Sequence, residues 1–160
     1  MSGTRHTNTG TYNSDPWSFN GGTNYNNQSG TVNDYIGQAN ATVTANSTTK
    51  TYGQTVTFAG TEFMTSGFLG SDHVTSVTLT SAGAAGTATV TAPGPDYAIV
   101  PTAAVGTGLG NYVIGYVNVN LHVNPKTASV TANNRNKTYG KRSHLLGRSS
   151  PPVASLTATV

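Results

Sequence analysis

The sequence predicts an all-β protein built from small antiparallel modules, and three observations support this prediction. First, only 8% of the 160 residues are charged, and Lys and Glu, the usual surface residues of helices, are scarce. Second, Thr- and Val-rich runs are typical of strands, and the frequent Gly and Asn residues are typical of turns. Third, part of the sequence recurs later in the chain, which favours a tandem array.

Strands are expected where Thr, Val and aromatic residues run between turn residues. Within the repeated unit, the expected strands are residues 42–44, 55–58, 74–80, 87–90, 97–101 and 112–123. Residues 63–69 lack strand alternation and are expected to form a short helical turn, the only helical structure we predict. Residues 93–95, with the sequence P-G-P, are expected to form a loop, and Pro101 to end its strand.

The longest expected strand has an internal irregularity. Its alternation of apolar residues changes phase near Tyr116. This change predicts a bulge or a tight hairpin at Gly115 or Asn118.

The repeat defines the organisation of the chain. The sequence A-x-V-T-A-N at residues 41–46 recurs at residues 128–133, and K-T-Y-G at residues 50–53 recurs at residues 137–140, both with an offset of 87 residues. A unit of this size is large enough to bury a modest core by itself. We therefore divide the chain into the C-terminal part of a preceding repeat (1–40), one complete repeat (41–127) and the start of the next repeat (128–140).

Residues 141–160 do not continue the repeat. Suitable codons for residues 140–160, read one nucleotide out of frame, spell GQAVTFAGTEFTTSGLLNGDS. That sequence agrees at most positions with residues 53–69, which begin GQTVTFAGTEF. We hypothesise that residues 141–160 are a frameshifted, disordered tail without a selected fold.

The motifs of the complete unit point to a known family. They are A-x-V-T-A-N-x-x-x-K-T-Y-G at residues 41–53, D-x-V-T-S-V at 72–77, Y-A-I-V-P at 97–101 and G-L-G-N-Y-x-I-x-Y-V-N at 108–118. Together they resemble MBG repeats of the YGX type, which occur in arrays in filamentous-haemagglutinin-like adhesins of bacteria. The resemblance implies an extracellular β-rich module, either immunoglobulin-like (a β-sandwich) or β-grasp-like. It carries over no functional residues.

Composition and charge restrict the partners of the chain. The calculated pI is about 9.3, but residues 1–127 carry three basic and five acidic residues. The excess positive charge follows Thr127, so no basic face of a folded domain is expected to bind nucleic acid. No apolar run is long enough to insert into a membrane, and the polar residues 1–6 are not a signal peptide. Without cysteines, disulfides and thiolate-ligated metals are excluded.

The candidate ligand-binding residues are aromatic. Tyr12, Trp17 and Tyr25, with Phe19, lie in a Gly- and Asn-rich segment. Aromatic rings beside amide side chains suit stacking on sugars and hydrogen bonding to their hydroxyl groups. The alternative, which we favour, is that Trp17 packs in the core of the partial repeat, because large aromatic side chains usually serve burial.

We expect no catalytic residue, metal site or cofactor. Asp72 and His73 have no nucleophile or second base near them in sequence, and the five acidic residues are too dispersed for a calcium loop. The loop G-T-G-L-G at residues 106–110 lacks the spacing of a phosphate-binding loop.

These observations favour a structural or adhesive extracellular module of a large bacterial surface or secreted protein. Its expected partners are neighbouring repeats of the same chain, with glycans or host surfaces as candidate external ligands. The alternative function is a carbohydrate-binding module that uses exposed aromatic rings.

Overall fold

The computed structural model describes residues 5–141, and over this range the chain is all-β. Short 3₁₀ turns at Ala82–Ala84 and Leu109–Asn111 lie between strands. Within the described range, no helix is long and apolar enough to cross a membrane. The strands are β1 Gly10–Phe19, β2 Gln28–Ile36, β3 Ala39–Ala45, β4 Thr48–Thr51, β5 Phe63–Ser66, β6 His73–Thr80, β7 Asp96–Thr107, β8 Tyr112–Val117 and β9 Val119–Asn124.

Strands β3 to β9 form two sheets. One has the order β5-β3-β8 and the other the order β4-β9-β7-β6. The chain passes from the first sheet to the second three times, and two of these passages are short, from β3 to β4 and from β8 to β9. The two crossing segments run side by side, because β3 pairs in parallel with β8, and β4 in parallel with β9.

The core of this unit lies on the inward faces of the strands. Val43, Ile99, Leu121 and Val123 are completely buried, and in β3, β7 and β9 buried residues alternate with exposed or half-buried ones. Period-two alternation of this kind is what a strand with one face in the core requires. The Thr-rich strands therefore bury Val, Ile and Leu and turn Thr, Asn and Ser outwards.

Most of the expected strands are present, but two segments are not strands. Residues 55–58 form a single backbone bond, from the Val56 N–H to the Ala84 carbonyl, and residues 87–90 are irregular. In the second segment the Tyr97 hydroxyl accepts the N–H of Thr89 at 3.0 Å. The backbone partner of Thr89 is thus a side chain and not a neighbouring strand.

The expected helical turn is also wrong. Phe63–Ser66 is strand β5, which pairs antiparallel with β3. The strand conformation of residues 63–66 depends on pairing with β3, which is distant in sequence, and not on an alternating pattern within the segment. The P-G-P segment at residues 93–95 is a loop, as expected.

Pro101 does not end its strand. β7 continues to Thr107, and Pro101 lies opposite Leu79 of β6. The pairing of β7 with β9 ends at Ile99. Pro101 therefore has a strand neighbour on one side only, a position that tolerates a residue without an N–H.

The phase change in residues 112–123 falls at Asn118, one of the two expected positions. Asn118 separates β8 from β9. It is not a hairpin, because β8 and β9 continue in the same direction beside β3 and β4. The change of phase marks the point where the strand leaves one sheet and enters the other.

Strands β1 and β2 form a separate antiparallel hairpin, before the two sheets along the chain. The tail proposed to be frameshifted lies, apart from Lys141, outside the described residues.

Candidate functional site

The candidate aromatic residues lie on the β1–β2 hairpin, and a bulge decides which side chains share a face. Tyr12 lies opposite Asp34, and Asp15 lies opposite Val32, so two residues of β1 oppose one residue of β2 between these pairs. Ser14 in the bulge has a φ of 63°. The bulge therefore places Asp15 on the same face as Tyr12, whereas simple alternation would place them on opposite faces.

Trp17 and Phe19 continue this face towards the end of β1. Each is 39% exposed. Trp17 lies opposite Gly30 of β2, and its indole nitrogen is 2.9 Å from the place where a Cβ of residue 30 would stand. Because residue 30 has no side chain, the indole ring packs closely over the backbone of β2.

The structure brings two of the three predicted ligand residues onto one face. Tyr12 stacks on His6 with ring centroids 3.5 Å apart, and it donates a hydrogen bond to the Asn8 carbonyl at 2.7 Å. Tyr25 lies in the loop between β1 and β2 and is 74% exposed. Among the described residues, no ring contact joins Tyr25 to the aromatic residues of the face.

The same face carries a polar cluster that the sequence analysis missed. His6 Nε2 is 2.5 Å from Asp15 Oδ2, and ligand-type atoms of His6, Asp15 and Asp34 all lie within 4.8 Å of one another. The three residues are half-buried. No signal in the sequence shows this cluster, because the bulge at Ser14 and the pairing with β2 create it.

A cleft of about 460 Å³ separates the base of the hairpin from the complete repeat. Its walls include Asn8, Asp72 and Tyr112. Hydrogen bonds cross the junction at two places. The Thr9 N–H donates to Asn111 Oδ1 at 2.9 Å, and Gln38 Nε2 donates to the Gly110 carbonyl at 2.9 Å.

Asp72, His73 and the glycine-rich loop at residues 106–110 form hydrogen bonds within the fold. Asp72 accepts a hydrogen bond from the Tyr112 hydroxyl at 2.9 Å, whereas His73 Nδ1 bonds the Ser71 carbonyl at 2.8 Å. Asp72 and His73 therefore bond different partners. The glycine-rich loop at residues 106–110 leads into the turn that bonds Thr9 and Gln38, so it is a contact between the hairpin and the complete repeat.

The repeated K-T-Y-G motif contains a buried cation that the sequence analysis did not single out. Lys50 is 4% exposed, and its ammonium group donates hydrogen bonds to the carbonyls of Gln54, at 2.9 Å, and Ala85. Burial lowers the pKa of Lys50 below its ordinary value, and the charge of Tyr97 acts in the opposite direction. No strand was predicted at residues 48–51, so the core-facing place of Lys50 in β4 is known only from the structure.

The fold is that of an all-β module whose polar groups bond one another and the backbone. Residues 41–122 match the family model of the MBG domain (YGX type), so the chain belongs to this family. MBG domains are repeat domains of surface proteins, and the family is structural and non-enzymatic. No curated protein and no solved structure matches the chain.

Proposed function

We propose that the chain is part of a load-bearing extracellular array, in which each repeat is a spacer of a bacterial adhesin or a related secreted protein. The observation that carries the proposal is the parallel pairing of the first and last strands of the repeat. The registers run from Ala39 opposite Tyr112 to Thr51 opposite Asn124.

Parallel terminal strands place the two ends of the unit far apart. The chain enters at Ala39, beside the start of β8, and leaves at Asn124, beside the end of β4. Residues 39–51 span about 40 Å if they are extended at about 3.3 Å per residue. An array of such units extends along one direction, which suits a stalk.

The same geometry resists tension. A force applied at the two ends of the unit acts along β3–β4 in one direction and along β8–β9 in the other. The hydrogen bonds between these parallel segments are then loaded together in shear and do not open one after another. Extension therefore requires many bonds to break at once.

The hairpin supports the array organisation. When the repeat offset of 87 residues is added, β1 corresponds to residues 97–106, which lie within β7. β2 corresponds to residues 115–123, which include the end of β8 and most of β9. Like β7 and β9, strands β1 and β2 pair antiparallel. We infer that the hairpin is the last part of a preceding repeat and that residues 37–38 join it to the complete one.

Force spectroscopy on the whole chain tests the mechanical function. The chain has no cysteine, so Gly37→Cys and Thr127→Cys provide handles that load the parallel strands in shear. The matched control combines Thr55→Cys with Thr127→Cys, because both residues lie near the same end of the β4–β9 pair and the strands then unzip.

In the shear geometry we expect one unfolding event with a gain in length of about 26 nm, since residues 39–124, extended at about 3.5 Å each, replace a folded span of about 4 nm. The unfolding force should be clearly lower in the control. Equal forces in the two geometries would contradict a load-bearing function.

Carbohydrate binding is the second candidate, and the exposure of Trp17 and Phe19 on one face favours it. The tryptophan fluorescence of the chain, which has one Trp, should then change on titration with glycans. The response should persist in Phe68→Ala, an aromatic control within the complete repeat. Loss of glycan binding, measured by calorimetry, in Trp17→Ala would support this function, and the absence of any response in the wild type would reject it.

A further inference from the structure

His6, Asp15 and Asp34 bring nitrogen and oxygen donors together from three segments of the chain. His6 precedes β1, Asp15 lies in β1 and Asp34 lies in β2. Their ligand-type atoms all lie within 4.8 Å of one another, and all three residues are half-buried. The side chains of His6 and Asp15 are 24% and 14% exposed, so bulk water has little access to this pair.

The carboxylate of Asp34 accepts no hydrogen bond in the part of the chain that the structure describes. His6 Nε2 and Asp15 Oδ2 bond each other, but the side chain of Asp34 has no such bond and no ion pair there. A half-buried carboxylate without a donor is unfavourable, and here two carboxylates share a single imidazole. A cation between the three side chains supplies both the partner that Asp34 lacks and the compensating charge.

Neighbouring residues hold two of the three side chains in place. The ring of Tyr12 stacks on the ring of His6 with centroids 3.5 Å apart and an angle of 10° between the planes. The Ser14 N–H donates to Asn33 Oδ1 at 2.9 Å, which stabilises the bulge that directs Asp15 to this face. Outer groups that orient ligands in this way strengthen the binding of a metal ion.

We propose that His6 Nε2 and one carboxylate oxygen each from Asp15 and Asp34 bind a zinc ion, with water as the fourth ligand. Zinc holds such ligands at about 2.0–2.2 Å, so neighbouring ligand atoms of its tetrahedron lie about 3.4 Å apart. The His6–Asp15 pair, now 2.5 Å apart, opens by about 0.9 Å to reach that spacing, a change that side-chain torsions supply. Because zinc takes the lone pair of Nε2, the ring proton of His6 then lies on Nδ1.

The imidazole decides the class of ion. Calcium and magnesium prefer oxygen ligands, whereas imidazole suits zinc and its neighbours among the transition metals. Three protein ligands with one open position is also the ligand number of zinc sites that keep a water. The ion links the segment before β1 to both strands of the hairpin, and this role is independent of the proposed mechanical function.

The chain contains a second His–Asp pair, which serves as a matched comparison. His122 Nδ1 lies 2.6 Å from Asp96 Oδ1, but these side chains are 42% and 51% exposed. Within residues 5–141 this pair belongs to no group of three metal-ligating side chains. We therefore expect the pair at His122 not to hold zinc.

Calorimetric titration of the full, metal-free chain with zinc tests the proposal. We expect one ion per chain with a dissociation constant of about 10 µM or lower. Asp34→Asn keeps the His6–Asp15 pair and removes only the third ligand, yet it should weaken binding at least about 100-fold, because even outer-group changes cost about 10- to 100-fold. His6→Gln should do the same, whereas His122→Gln should bind zinc like the wild type.

Cobalt, used in place of zinc, locates the ion. The chain has one Trp, and Trp17 follows Asp15 on the same face of β1 at about 7 Å. Cobalt should therefore quench the fluorescence of Trp17 in the wild type and in His122→Gln, but not in Asp34→Asn. Unchanged emission and circular dichroism of metal-free Asp34→Asn show that this variant, which differs from the wild type by one atom type, remains folded.

Three results would overturn the proposal. They are the absence of saturable zinc binding, wild-type affinity in Asp34→Asn, and loss of binding in His122→Gln. Displacement of zinc by calcium at about 1 mM would overturn the choice of ion. None of these results affects the force measurement, because β3, β4, β8 and β9 contain no residue of the cluster.

Discussion

Replacing Lys50 by methionine should destabilise the repeat substantially. Methionine keeps an unbranched apolar side chain of similar length but removes the ammonium group. The carbonyls of Ala85 and Gln54 then lose their donor. Because Lys50 is 4% exposed, water does not replace it freely.

The magnitude follows from two opposing contributions. An unpaired buried carbonyl costs about 1–3 kcal/mol, and two carbonyls are affected. Removing the ammonium also removes the cost of its own desolvation, the same cost that lowers the pKa of Lys50. The loss at the carbonyls is the larger contribution, so we expect a net destabilisation of about 2 kcal/mol. For a domain of this size that corresponds to a fall in Tm of about 10 °C.

Thermal and urea unfolding of the full chain, followed by circular dichroism, measures this difference. The control is Lys137→Met, because Lys137 has the place of Lys50 in the second K-T-Y-G motif and is exposed. Its effect should stay within about 0.5 kcal/mol. Equal effects of the two substitutions, or an unchanged Tm in Lys50→Met, would refute the reasoning.

The pH dependence gives an independent check. The folded-state pKa of Lys50 lies below 10.5, its ordinary value. As the pH rises towards 10.5, the folded state therefore releases this proton before the unfolded state does. The stability of the wild type then contains a contribution that increases with pH in the window just below 10.5. This contribution should be absent from Lys50→Met.

Three further changes test other parts of the repeat. Hydrogen bonds from backbone N–H groups, that of Ala59 foremost, lower the pKa of Glu62 below 4.5. The stabilisation by the Glu62 carboxylate is therefore present above pH 4.5 and lost as the pH falls through the folded-state pKa. Glu62→Gln should flatten the acid side of the profile of stability against pH, measured by urea unfolding. Tyr97→Phe should cost about 1–2 kcal/mol in the same assay, because the hydroxyl both accepts from the Thr89 N–H and donates to its carbonyl. Gly83→Ala should lower the Tm and cost about 1–3 kcal/mol, because the added Cβ would lie 2.7 Å from that of Tyr97.

Glu62 and Tyr97 also show why hydrogen-bonding partners could not be predicted. The Glu62 carboxylate folds back on its own loop and accepts from Ala59, Gly60 and Thr61 at 2.9–3.1 Å. The Tyr97 hydroxyl completes the backbone bonding of Thr89, in a segment predicted to be a strand. In the second case a side chain takes the place of an expected strand partner. Strand propensity does not record such a replacement.

The candidate site depended on tertiary structure even more strongly. The aromatic residues are visible in the sequence, but which of them share a face is decided by the bulge at Ser14. With simple alternation, Asp15 and Tyr12 would lie on different faces of the hairpin. Only the shifted register with β2 brings His6, Asp15 and Asp34 together. A change of one residue in register moves a side chain to the other face of a sheet.

The amino-acid sequence by itself determined the all-β class, the inward-facing positions of β3 and β9 and the shape of the Thr-Tyr-Gly turn. These features are local, since they depend on period-two alternation and on a glycine with positive φ, and the turn forms even in the exposed segment at residues 138–141. Only the tertiary structure decided that residues 63–66 form a strand, that residues 55–58 do not, and that Asn118 marks a passage between sheets. Each of these depends on which distant strand supplies the hydrogen-bonding partner, and a short segment of sequence contains no information about that partner.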